Sequence, residues 1–378
     1  MLGTVLGMAP HSSSLARVDR LLHVLGPGPW PVADLLAAGW TRGQLQRAVA
    51  TGLLARPRRG MYTAPETGRA QLSLAVGSAG APLGAAEATS AAVTARPSSV
   101  HRSRLRALAQ RLPSSAVFSH ASAGRELGLW LPYPADPVAH VTIPGQADRE
   151  AAGLHVHGSG LPTRFVMHGE GFLLTDIRRT AVDLARPCDL PHALIPIDSA
   201  LRLMLEADYS DLDRHLRRRE VPYDAVERAR GRFDEVLDAM TGWPGMRTAR
   251  AAVAAADPAS ASPYESWSRG WMLAVGLPPP ELNVVLRGAS GREYVVDFLW
   301  RDRGLIGEAD GMSKYGRTAE EIRRTMRAEK ERQADLEAAG WRFARWVVGD
   351  SGATIVARVG RALYLPPSSR DAALRRGA

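Results

Sequence analysis

The residues whose types and spacing point to chemistry lie in "LIGEADGMSKYG", residues 305–316. An apolar start at Leu305 and Ile306 runs into Glu308 and Asp310, and Lys314 follows four residues past the aspartate. Just upstream, "REYVVDFLW" carries Asp297, and "RDRG" between the two segments reads as the turn of a β-hairpin. With the turn centred on Asp302 and Arg303, Asp297 stands directly opposite Glu308, and Asp310, two residues along, shares their face. Directly opposed residues have Cβ atoms only about 4.5–5.5 Å apart, and like charges there destabilise the pair. Carboxylates so placed on apolar strands need a cation between them or a raised pKa. Mg²⁺ is the natural cation, since it takes carboxylate oxygens and keeps several waters. Such an ion can generate a hydroxide nucleophile and neutralise charge on a phosphate. The plain alternative is a register shifted by one residue, which puts Asp297 and Glu308 on opposite faces, or acids simply paired with Arg301, Arg303 or Lys314.

The chain has 48 lysines and arginines, yet its lysines are only Lys314 and Lys330, both within residues 307–330. Lysine is a compact, titratable point charge, whereas arginine is a permanent planar fork. A chain that otherwise uses arginine thus keeps both its ammonium groups in the stretch that begins at the strand acids. His155 and His157 share one face of a β-prone segment, a spacing that can ligate a metal, but no third ligand is apparent and an ordinary alternating strand explains them as well.

The elements that must position the acids are legible around them. "SPYESWSRGWMLAVG" reads as a helix with Ser262 as N-cap, Pro263 at N1 and Glu265 at N3, a capping-box arrangement. "ELNVVLRG", "REYVVDFLW" and "LIGEAD" are strands, residues 318–339 a long charged helix stopped at Gly340, and "WRFARWVV" a last strand. Residues 260–365 are therefore an α-β-β-β-α-β domain, followed by a tail over 366–378. Residues 116–259 read as a mixed α+β middle module with a helical connector, including strands at "PVAHVTIPG" and "GLHVHGSG". Residues 76–115 are a linker and the basic helix "SSVHRSRLRALAQRLP".

Residues 1–75 have the order helix ("RVDRLLHVLG"), helix ("PVADLLAAG"), turn, helix ("TRGQLQRAVATG", capped by Thr41) and hairpin around "RPRRG". This is the order of a winged helix-turn-helix. Between residues 35 and 65 there are five arginines and no acid. Arg42, Gln46 and Arg47 would project from the third helix, as residues that suit base edges and phosphates, with Arg56, Arg58 and Arg59 on the wing. Double-stranded DNA is the partner this predicts; a solvated basic face on a helical bundle is the bland alternative.

Composition bounds the rest. The net charge of +9 favours an anionic partner, although a genome that writes arginine freely yields the same excess. No apolar run approaches the ~20 residues of a membrane span, so no membrane association is expected. The N-terminus lacks a basic segment ahead of its apolar part, and Cys188, as sole cysteine, excludes intrachain disulfides. A cytoplasmic protein is the expectation.

"SPYES", "YVVDFLW", "GEADGMSKYG" and "AAGWRFARW", in that order over roughly residues 260–350, resemble the Vsr-like restriction-endonuclease domain of the PD-(D/E)XK superfamily. "LLAAGWTRGQLQRAVATGLLARPRRGMYTAP" carries a second resemblance, to the AbiEi-type antitoxins of type IV toxin–antitoxin systems, which extends more loosely over 116–205. The nuclease resemblance implies that Asp297 and Glu308 hold Mg²⁺ with Asp310 beside them, that Glu265 is an additional acid, and that Lys314 or Lys330 brings an ammonium near the attacked phosphate. The chain departs from the pattern where Asp310 replaces the usual lysine two residues after the strand glutamate. Two functions stay open: a DNA-binding, Mg²⁺-dependent endonuclease, or an AbiEi-family antitoxin and transcriptional repressor, partnered by a cognate toxin protein, whose nuclease fold is degenerate.

Overall fold

The structure is a computed structural model that describes residues 30–50, 54–58, 60–63, 99–133, 138–151, 153–310 and 319–364. These residues form a mixed α/β chain with three sheets among them. They separate into two compact units: the described residues up to 118 together with 139–174, and those of 119–138 together with 175–364.

Among the described residues, the first unit has strand β1 (Trp30–Pro31), helices α1 (Val32–Ala37) and α2 (Arg42–Ala50), and the hairpin of β2 (Ala55–Arg58) and β3 (Met61–Thr63). The strands form a small sheet in the order β1-β3-β2. Thr41 caps α2 reciprocally: its hydroxyl accepts the Gln44 N–H at 3.3 Å, and Gln44 Oε1 accepts the Thr41 N–H at 2.9 Å. One face of each helix is apolar, so Leu35, Leu45 and Ala48 pack with Trp30, Trp40, Leu54 and Tyr62. The expected helix before Gly26 lies outside the described residues. After α3 (Ser99–Ala109) come β4 (Val117–Phe118), β5 (Ala139–Thr142), β6 (Arg149–Ala151), β7 (Leu154–His157), β8 (Val166–His168) and β9 (Leu173–Thr175). They form one sheet, ordered β6-β7-β5-β4-β9-β8, in which β5 and β7 run parallel.

The second unit holds α4 (Ile177–Ala185) and α5 (Leu190–Glu206), whose N-caps Asp176 and Asp189 accept the N–H groups of Arg179 and His192 at 2.8 and 3.1 Å. Then follow α6 (Pro263–Ala274), β10 (Glu281–Arg287), β11 (Glu293–Trp300), β12 (Leu305–Asp310), α7 (Ala319–Ala338), β13 (Arg342–Val347) and α8 (Gly352–Tyr364). The sheet order is β10-β11-β12-β13; the first three strands are antiparallel and β13 is parallel to β12. The apolar residues form two layers, and the strand alternation is broken at Asn283 and Asp297, so that Leu282 and Phe298 face one layer while Val284 and Val296, two residues along, face the other. Leu282, Phe298, Trp300, Leu305 and Trp346 pack with Tyr264, Trp267 and Met272 of α6 and Ile355, Val359 and Leu363 of α8. Val284, Leu286, Val296, Leu299 and Ile306 pack with Leu336 of α7.

Helix α6 lies against α5 so closely that a Cβ on Gly270 would stand 2.4 Å from Pro191 Cα. Both helix backbones would have to part, so Gly270→Ala is expected to lower the unfolding free energy by about 1–3 kcal/mol, measured by urea denaturation. An unchanged midpoint would mean that the helices shift freely. Among the described residues no helix is long and apolar enough to cross a membrane.

Candidate functional site

The sheet of the second unit carries a row of polar residues across all its strands. On β11 and β12 the register pairs Trp300 with Leu305, Leu299 with Ile306 and Phe298 with Gly307. The next step brings Asp297 to Glu308. There the ladder stops, and Asp297 Oδ2 accepts the Ala309 N–H at 2.9 Å. On the other side, Leu282 pairs with Phe298 and Val284 with Val296, so Asn283 falls opposite Asp297. Asn283 adopts a left-handed backbone (φ 47°), which asparagine tolerates better than most residues. Glu308 pairs with Arg345 on β13. The row is thus Asn283, Asp297, Glu308, Arg345.

Helices on both sides complete the site. From α6, Glu265 is held three ways: Oε2 accepts from Asn283 Nδ2 at 2.7 Å and the Ala261 N–H at 2.9 Å, and Oε1 from Ser262 Oγ at 2.8 Å. From α7, Arg332 donates to Glu308 Oε1 at 2.6 Å, to the Val295 carbonyl at 2.9 Å and to Glu329 at 3.0 Å. Arg345 joins Glu329 at 2.7 Å and Asp310 at 3.3 Å.

Burial raises the cost of ionising these acids. Glu308 is 2% exposed, and desolvation, with the neighbouring Asp297 charge adding to it, pushes its pKa up to about 7 against the opposing pull of Arg332 and Arg345. Desolvation and Asp297 likewise push Glu265 up to about 7. Two arginines therefore leave the acids short of positive charge, which is the condition a divalent cation relieves.

The sign of the resulting pH dependence follows. An unfolded glutamate titrates near 4.5, so between about pH 4.5 and 7 the native state binds more protons than the unfolded one. The stability from protonated Glu308 is complete below pH 4.5 and is lost as the pH rises through about 7. Without divalent metal, Glu308→Gln is expected to gain about 2–3 kcal/mol on the wild type across that window, read from denaturation at pH 5, 6, 7 and 8. Parallel pH profiles would show that Glu308 keeps an ordinary pKa.

The predicted residues are only partly brought together. Glu265 and Glu308 each feel the charge of Asp297, which stands at the same register step as Glu308. Asp310 does share the Glu308 face, but its carboxylate is engaged by Arg345. Among the described residues, histidines alone form a group of three with ligand atoms within 4.8 Å of one another, so Asp297, Glu308 and Asp310 are not a closed three-ligand set. The oxygen donors of Asp297 and Glu308 suit Mg²⁺, which needs only one or two protein carboxylates and keeps waters for the rest. Lys330 is exposed on α7, and the cation at Glu308 is Arg332 instead. A step of two residues on a helix turns a side chain by about 200°, so Lys330 and Arg332 point oppositely. Lys314 lies outside the described residues. Asn283, Glu329, Arg332 and Arg345 were not anticipated. Only Asn283 offered a signal, as a polar residue amid the apolar strand "ELNVVLRG".

In the first unit, Arg42, Gln46 and Arg47 are exposed on α2, and Arg56 is exposed with its guanidinium 5.9 Å from the centre of the Tyr62 ring. Arg58 ends β2, but its side chain, like Arg59, lies outside the described residues.

No family profile matches the chain. It is similar to the uncharacterized proteins MT2308 and Rv2248 of Mycobacterium tuberculosis strains CDC 1551 and H37Rv, at 33% identity over 214 residues, 56% of this chain and 67% of each relative. Among solved structures, the crystal structure of the RV2827C protein from Mycobacterium tuberculosis aligns with 65% of this chain and 82% of its own, at 18% identity and a TM-score of 0.31. With a third of aligned residues identical across two thirds of the two uncharacterized relatives, the chain belongs to the family of MT2308 and Rv2248.

Proposed function

We propose that the chain is a DNA-binding protein whose C-terminal domain is a PD-(D/E)XK-type, Mg²⁺-dependent endonuclease. One observation carries this reading: the row Asn283, Asp297, Glu308 and Arg345, with Glu265 bonded to its first member, crosses a sheet whose two faces are otherwise packed with apolar side chains. Buried carboxylates with raised pKa values and specific charge partners are candidates for a functional site. Asp297 and Glu308 would hold Mg²⁺, which when bound supplies an activated water and charge neutralisation at the phosphate. Asn283 keeps Glu265 oriented, and a carboxyl titrating near 7 can hold or release a proton at neutral pH. With Asp310 in the usual lysine position, Arg332 and Arg345 supply the positive charge along the strand ends. Strand β1, helices α1 and α2 and the β2–β3 hairpin act as a winged helix-turn-helix, presenting Arg42, Gln46 and Arg47 to duplex DNA. Nicking of supercoiled plasmid with Mg²⁺, absent with chelator and absent in Asp297→Ala, tests the reading. Equal nicking by the variant would sink it.

A second reading rests on the ion pairs Arg332–Glu308 and Arg345–Asp310, which give the acids partners without any metal. On that reading the nuclease fold is degenerate and the chain is an AbiEi-family antitoxin and repressor, with a toxin protein as partner. It requires metal-independent, sequence-selective DNA binding that weakens steeply with salt, and no nicking.

A further inference from the structure

We propose that His140, His155 and His157 form a binding site for a divalent transition metal of the Zn²⁺ type, separate from the carboxylate site. Parallel strands β5 and β7 pair His140 with His155 and Thr142 with His157. Alternation sends Val141 and Val156, both fully buried, into the core and leaves the three imidazoles together on the opposite face. His140 Nδ1 lies 3.0 Å from His157 Nε2, and the His155 and His157 rings stack 4.2 Å apart at 9°. His140 stacks on both at 5.2 and 5.3 Å. One ring nitrogen from each residue lies within 4.8 Å of the others.

These distances suit a metal. Tetrahedral Zn²⁺ with bonds of about 2.0–2.1 Å holds its nitrogens about 3.3 Å apart, so the rings, now nearly parallel, must turn out of the stack to aim their in-plane lone pairs at one ion. Three neutral imidazoles suit Zn²⁺ and neighbouring first-row ions, whereas Mg²⁺ prefers oxygen donors. An outer partner is present too. Strand β6 pairs Glu150 with His155, and Glu150 Oε1 lies 3.4 Å from His155 Nδ1. A carboxylate on Nδ1 sets the tautomer that leaves Nε2 for the metal. Glu150 is 81% exposed, so it can also swing in as a fourth ligand. With three protein ligands the fourth position stays open to water or an anion, as in catalytic rather than structural zinc sites.

The test uses the full-length chain after chelation and dialysis, titrated with Zn²⁺ by calorimetry and with Co²⁺ by visible absorption. The expected result is one Zn²⁺ per chain with micromolar or tighter affinity, and a Co²⁺ spectrum of four- or five-coordinate type that Zn²⁺ removes and excess Mg²⁺ does not. His157→Gln is expected to weaken binding at least a hundredfold, and the exposed Glu150→Gln about ten- to a hundredfold. Circular dichroism reports whether His157→Gln folds; if it does not, His140→Gln and Glu150→Gln decide. Wild-type chain without a stoichiometric site, or full affinity retained in the folded variants, would overturn the proposal.

Discussion

Asp297→Asn is expected to lower Mg²⁺-dependent plasmid nicking at least a hundredfold while DNA affinity in EDTA stays within about twofold. The asparagine carbonyl can still accept the Ala309 N–H that Asp297 Oδ2 now accepts at 2.9 Å, so the splayed end of the β11–β12 ladder keeps its geometry. What changes is charge. Asp297 lies between Asn283 and Glu308 in the row, and its charge helps raise both Glu308 and Glu265. Removing it lets those acids ionise more readily but takes a full negative charge from the proposed metal position. Loss of one preorganised electrostatic group commonly costs 10²–10³ in rate, and loss of a metal ligand costs affinity as well. Two readouts separate the causes. If Asp297 acts as a ligand, raising Mg²⁺ recovers part of the lost nicking. If it acts through the protonation of Glu308, the pH profile of nicking shifts to lower pH without any change in Mg²⁺ dependence. Undiminished nicking by the variant, with unchanged metal and pH dependence, would remove the site from the mechanism.

Much of this site was legible because β-structure has a period of two. The centre of "RDRG" sets which residues oppose, and the observed pairs from Trp300–Leu305 to Phe298–Gly307 follow that register. The capping motif at Ser262 was legible for a similar reason: N3 lies at a set offset from the cap, and Glu265 is held there. The cations were not legible. Helix α7 is charged all round, so its sequence gives no apolar stripe to phase it against the sheet. Lysine scarcity drew attention to Lys330, whereas tertiary packing turned Arg332 inward. Arg345 becomes a site residue only through the parallel pairing of β12 with β13, which brings together residues 37 apart. His140 was hidden for the same reason, since the pairing of β5 and β7 spans 15 residues and leaves no local spacing to read. Local periodicity thus located the acids, and non-local pairing supplied their partners.

Arg269→Met is expected to destabilise the second unit by about 3–5 kcal/mol in urea denaturation, more than any surface arginine change. Arg269 of α6 grips Asp198 of α5 with both carboxylate oxygens, at 2.9 and 2.8 Å, and donates to the Ala255 carbonyl at 2.6 Å. Asp198 is fully buried and also accepts the Asp257 N–H at 2.9 Å. Desolvation already raises its pKa in spite of the arginine. Without Arg269 the carboxylate must either stay charged with one backbone donor or take up a proton, and both cost stability. Asp198→Asn combined with Arg269→Met removes both charges, so the double change is expected to cost less than the sum of the single ones. The consequence reaches the candidate site, because Glu265 lies four residues before Arg269 on the same helix. The ion pair sets how α6 is seated on α5, and α6 sets where Glu265 meets Asn283. Arg269→Met should therefore also shift the pH dependence of any activity that uses Glu265 at temperatures where the unit remains folded. A normal pH profile in a destabilised variant would show that the first turn of α6 is held by its capping box alone.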